Sequence, residues 1–79
     1  MHLCISGFLI DSKKDDSIKF EFVPDKKFND QIVQLLGHKD FYAMPAGEWL
    51  LAVEQADQIS ELIGYSLPTE LKLYIGVEA

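Results

Sequence analysis

The sequence predicts a small two-layer α+β sandwich: a mainly antiparallel sheet of four or five strands with two helices on one face, in the order β-β-α-β-β-α-β. Three observations lead there. Residues 18–22 and 71–78 alternate apolar with polar or aromatic side chains, the period of a half-buried strand. Residues 28–36 and 53–63 carry apolar residues at helical spacing instead. The chain has 79 residues, nearly half of them apolar, which supports one domain spanning 1–79 and one small core.

The first strand is expected from His2 to Ile10. Leu3, Ile5 and Leu9 point one way, and Cys4, Phe8 and Ile10 the other, so both faces are apolar and a central position fits. Asp11 to Ser17 reads as a polar loop. Ser17 to Val23 sets Ile18, Phe20 and Phe22 against Lys19 and Glu21, antiparallel to the first strand, and Pro24 ends it. Asp25 or Asn29 then caps a helix whose apolar stripe is Phe28, Ile32, Leu35 and Leu36, closed by Gly37.

Residues 40–64 hold the only tryptophan and the densest apolar run. Phe41–Met44 and Glu48–Ala52 are read as a hairpin around Pro45 and Gly47, followed by a helix bearing Ala56, Ile59, Leu62 and Ile63 and closed by Gly64. The rival is one helix from Ala46 to Ile63, because Trp49, Val53, Ala56, Ile59 and Ile63 also form a stripe. Gly47 in its first turn, and residues 49–53 apolar all round, favour the strand. After a loop at 65–68, Thr69–Glu78 makes the last strand. Helices on one face leave the other sheet face with Cys4, Phe8, Tyr74 and Tyr42 or Trp49, aromatic enough to suit a homodimer or another partner.

Charge is unevenly placed. Residues 1–39 balance six acids with six lysines, whereas residues 40–79 hold seven acids and only Lys72, so they carry the whole net charge of −6. There is no arginine. Phosphate contacts need cations, and bidentate base contacts favour arginine, so direct nucleic-acid binding is not expected. An anionic membrane surface is disfavoured for the same reason, and no apolar run approaches the roughly 20 residues of a membrane span. The single cysteine excludes an internal disulfide, and the apolar start lacks the basic flank of a signal peptide. The expected location is cytoplasmic.

No motif of enzyme chemistry is present. His2 and Cys4 share a strand face, but a metal site needs three or four ligands and cysteine catalysis an orienting third group; a packed thiol is the simpler reading. Asp11, Asp15 and Asp16 crowd one loop without the alternate spacing, central glycine or closing glutamate of a calcium loop. No cofactor or metal is expected, and the chain is read as non-enzymatic.

The remaining candidates concern protein contacts. Glu54, Asp57 and Glu61 fall on one helical face with no lysine among them, a solvated surface or an acidic contact patch. Phe41 is expected in the core, and Trp49 or Tyr42 as an apolar anchor. The leading function is therefore a small acidic binding module that blocks a basic, nucleic-acid-handling partner. Immunity proteins, antitoxins and phage-encoded inhibitors share that logic, by analogy of charge and size alone. A self-associating structural or regulatory domain is the first alternative, and a ligand-binding or enzyme domain built on a dimer groove the second.

Titration with labelled single- and double-stranded DNA and RNA should show no binding tighter than micromolar at about 150 mM salt. A sub-micromolar complex would overturn the charge argument.

Overall fold

The computed structural model describes residues 2–10, 17–41, 44 and 47–78. Four strands form one open antiparallel sheet: β1 (His2–Phe8), β2 (Phe20–Phe22), β3 (Glu48–Leu50) and β4 (Lys72–Glu78). The spatial order is β2-β1-β4-β3, so β1 is central, as its two apolar faces imply. Two helices, α1 (Asn29–Leu35) and α2 (Val53–Ile63), pack together over one sheet face. This is the expected α+β architecture.

Cross-strand neighbours share a face, so the register defines the two sides of the sheet. Leu3 opposes Val77, Ile5 opposes Ile75, and Gly7 opposes Leu73 on the helix side. Phe22 and Phe20 extend that side across β2. Ile32 and Val33 of α1 and Ala56 and Ile59 of α2 complete the buried cluster. Phe28, Leu36, Leu62 and Ile63 pack at its margin.

Local chemistry accounts for the helix ends. Asp25 is the cap: its Oδ1 accepts the Lys27 N–H at 3.0 Å, opening a 3-10 turn at Lys26–Phe28 that runs into α1. Asn29, the alternative cap, is already helical. At the other end the His38 N–H donates to the Val33 carbonyl and the Gly37 N–H to the Gln34 carbonyl, a Schellman closure. Gly37 supplies the required left-handed backbone at φ +93°. In α2, Gln55 Oε1 accepts the Ala52 N–H at 2.9 Å, the half of a capping box that needs no oxygen on residue 52. Gly64 closes the helix in the left-handed region. Ser60 Oγ then accepts the Leu67 N–H at 3.0 Å and ties the following loop to the helix.

The segment before β3 differs from the expected hairpin. Phe41 and Met44 are not in a strand; the Met44 N–H donates to the Phe41 carbonyl at 3.3 Å, closing a turn. The Phe41 N–H is held by Asp30 Oδ1 at 2.9 Å, and the Phe41 and Met44 side chains are buried in the core. Phe41, a residue type that favours a pleated surface, is captured by the core and by α1. Among the described residues the element order is therefore β-β-α-β-α-β, and β3 pairs with β4. The single-helix alternative from Ala46 also fails. Glu48–Leu50 lie in the sheet, and Ala52 is extended at ψ 155° immediately before α2.

One close approach fixes how β3 meets the sheet. A Cβ built on Gly76 would sit 2.8 Å from the Gly47 carbonyl oxygen and 3.1 Å from Glu48 Cγ. Only glycine lets the β3 backbone lie this near β4.

Replacing Ile32 or Ile59 by Ala should cost about 2–5 kcal/mol in chemical denaturation, because both are fully buried. At roughly 0.05–0.15 kcal/mol of total stability per residue, either loss is a large share. A loss under about 0.5 kcal/mol at both positions is the size of a surface substitution and would exclude this core.

Candidate functional site

The acidic residues lie where the helical spacing puts them. Glu54, Asp57 and Glu61 are exposed on the face of α2 opposite the buried Ala56 and Ile59. Among the described residues none of the three has an ion-pair partner. Glu54 stands in the first turn, where the helix dipole favours a carboxylate. Glu61 reaches the rim of a shallow groove of about 570 Å³ between the helices, lined also by Gln31, Gln34, Leu35, Gln58 and Leu62. That lining offers amides and leucines but no convergent set of acid, base and nucleophile.

Trp49 lies at the sheet edge and is 40 % exposed. Its register partner is Ile75, so it belongs to the helix-covered side and not to the open face where it was one of the expected residues. Leu50, opposite Tyr74, takes that place. The Trp49 ring lies 6.1 Å from that of His38, and the two join Leu36, Leu50 and Gln55 around a pocket of about 170 Å³. Leu50 and Val53 are more exposed still, at 58 % and 59 %. Glu48, Trp49 and Leu50 on β3 and Val53 and Glu54 at the start of α2 are thus all exposed at one strand-to-helix junction, with Glu48 and Leu50 on the open side of the sheet and Trp49 on the helix side. Tyr42 lies outside the described residues, as does the Asp11, Asp15 and Asp16 loop.

The open sheet face is organised around β1 and β4. Phe8 and Tyr74 meet edge to face at 5.7 Å, and Lys72 Nζ lies 5.7 Å from the Tyr74 ring centre. His2 Nε2 faces Glu78 at 3.8 Å across the strands. Cys4 is only 3 % exposed, at the floor of a hollow of about 180 Å³ bordered by Ser6, Gly47, Glu48, Tyr74, Gly76 and Glu78. Burial pushes its thiol pKa up; the weak contact to Ser6 Oγ opposes this, and the carboxylates of Glu78, Glu21 and Glu48 add to it. Among the described residues no three His, Cys, Asp or Glu side chains are placed to hold a metal ion.

Periodicity alone could not reveal two features. Leu50 and Val53 are strand and helix positions whose exposure depends on β3 being an edge. Phe20, Phe22 and Tyr65 stack, with Phe22 and Tyr65 at 4.7 Å, and close the core beyond β2. Tyr65 falls in a loop, where spacing carries no information.

No helix among the described residues is long and apolar enough to cross a membrane. No family model matches the chain, and no curated protein or solved structure does either.

The thiolate is the reactive form of cysteine, and a raised pKa makes it scarcer at any pH below that pKa. Alkylation of Cys4 at pH 8 should therefore be about tenfold or more slower in the folded protein than in denaturant. Equal rates would show that the thiol is open and ordinary.

Proposed function

We propose that this chain is a non-enzymatic, acidic protein-binding module that engages a basic protein, in the manner of an inhibitor or immunity-type factor. The observation that carries the reading is the corner at β3 and α2. Trp49, Leu50 and Val53 are exposed beside Glu48 and Glu54, and the carboxylates continue along α2 through Asp57 and Glu61. Interfaces commonly combine a desolvated aromatic anchor with a charged rim. The rim charges act at a distance and raise the encounter rate with a positive partner; the anchor holds the complex once formed. A partner that handles nucleic acid offers such a positive surface, and a cytoplasmic setting suits the unpaired cysteine.

A second reading, self-association through the open sheet face, is favoured by the exposed Leu50 beside the Phe8–Tyr74 ring pair. Sedimentation at several concentrations separates the two: a stable dimer that captures no basic protein supports the second.

The direct test compares the wild type with the triple variant Glu54→Gln, Asp57→Gln and Glu61→Gln. Both are used to capture partners from cell extract, and the recovered protein is then mixed with each in stopped flow. The triple variant should keep its fold, since all three side chains are exposed and the lost dipole interaction of Glu54 is offset by the like-charge repulsion removed. Its association should slow by about three- to tenfold at low salt, with a flatter salt dependence. Trp49→Ala should instead raise the off-rate. Identical association rates and salt slopes would remove the acidic face from the interface.

A further inference from the structure

We propose that the free edge of β3 receives an extended basic segment of the partner as a fifth strand, an inference that rests on the basic-partner reading above. Among the described residues β3 is the last strand of the sheet, and all three of its residues are exposed. The phase of its backbone is set by the Leu51 N–H, which donates to the Leu73 carbonyl at 2.8 Å. Hydrogen bonding alternates along an antiparallel pair, so Trp49 and Leu51 turn their backbone groups toward β4. Glu48 and Leu50 turn theirs away from the sheet. Among the described residues neither has a hydrogen-bond partner on that side.

Exposed edges normally carry lysines, prolines or bulges that discourage a new strand. Lys19 and Pro24 flank β2 at the opposite edge, where Ile18 and Val23 are also exposed. The β3 edge has no lysine or proline within Glu48–Leu50 and places Trp49 and Leu50 in solvent.

The edge also offers side-chain selectivity. The pocket of about 170 Å³ formed by Leu36, His38, Trp49, Leu50 and Gln55 opens beside β3 on the helix side and has room for one aliphatic side chain. In a strand laid against β3, the residue opposite Trp49 points to that side and fills it. The residue opposite Glu48 points to the other side, toward the Glu48 carboxylate. The complementary segment therefore alternates Lys or Arg with Leu, Ile or Val. Charge selects this occupant over a second copy of the chain, because residues 40–79 of each copy carry −6.

The test uses short synthetic peptides that alternate lysine with valine, leucine or isoleucine. Three forms are compared: unmodified, N-methylated at alternate residues, and with glutamate replacing lysine. Trp49 is the only tryptophan, so its emission reports occupancy of this edge directly. Hydrogen exchange followed by NMR reads the Glu48 and Leu50 amides. The unmodified lysine peptide should shift Trp49 emission, protect the Leu50 amide, and bind about tenfold or more tightly than the N-methylated form, a difference of about 1.4 kcal/mol. Leu50→Pro, tolerated at an edge whose N–H faces solvent, should weaken the unmodified peptide to the level of the N-methylated one. The peptide comparison stands even if that variant does not fold. Equal binding of methylated and unmodified lysine peptides overturns strand addition while leaving the basic-partner reading in place. Failure of every lysine peptide to bind overturns it also, and the capture experiment then decides the broader reading separately. Concentration-dependent protection of Leu50 without peptide would overturn it in favour of β3 pairing with a second copy.

Discussion

The seven-residue antiparallel pairing of β1 with β4 decides where every other element can sit. It is the longest ladder in the sheet, and it joins strands about 70 residues apart in the chain. Its register puts Leu3, Ile5, Leu73 and Ile75 on one side as a continuous apolar floor. Both helices must lie on that floor to bury their stripes. The short strands β2 and β3 gain their place by adding to its two sides, and neither reaches beyond three residues. A short edge strand has little pairing of its own, so its stability is borrowed from the central pair and from what packs over it.

This arrangement separates the molecule by charge. The electrically balanced half of the chain supplies β1, β2 and α1, and the acidic half supplies β3, α2 and β4. Because β3 lies at the sheet edge and α2 follows it after two residues, carboxylates from strand and helix collect at one corner. At the same corner the Trp49 ring lies beside His38, while Leu50 and Val53 remain open to solvent. The β2 edge also exposes Ile18 and Val23, but it lacks the run of carboxylates that Glu48, Glu54, Asp57 and Glu61 supply here.

The open sheet face presents a different chemistry. It is closed over Cys4 by the nearby β3 backbone and the Glu48 side chain, which Gly76 makes room for. A thiol held there acts as a small apolar group, and the ring pair of Phe8 and Tyr74 gives the face its remaining apolar area. Together these features leave an apolar surface around a thiol that is itself buried.

Much of this was legible in the sequence. Alternation identified β4 and the Phe20–Phe22 centre of β2, helical spacing found the α2 stripe and Ile32 of α1 but put Leu35 in place of the buried Val33, and Gly37 and Gly64 marked the helix ends, because these are short-range consequences of backbone geometry. The acidic face of Glu54, Asp57 and Glu61 followed from the same spacing. What the tertiary structure alone decided concerns long-range capture. Phe41 and Met44 looked like strand residues, yet Asp30 holds the Phe41 amide and the core takes both side chains, so a turn forms instead. The face of Trp49 depended on which residue of β4 it opposes, and a shift of one residue would have reversed it. Which strand ends the sheet was equally beyond local pattern, since strand order is set by packing around β1 and β4. Among the described residues, that order leaves the outward backbone groups of Glu48 and Leu50 without a strand beside them.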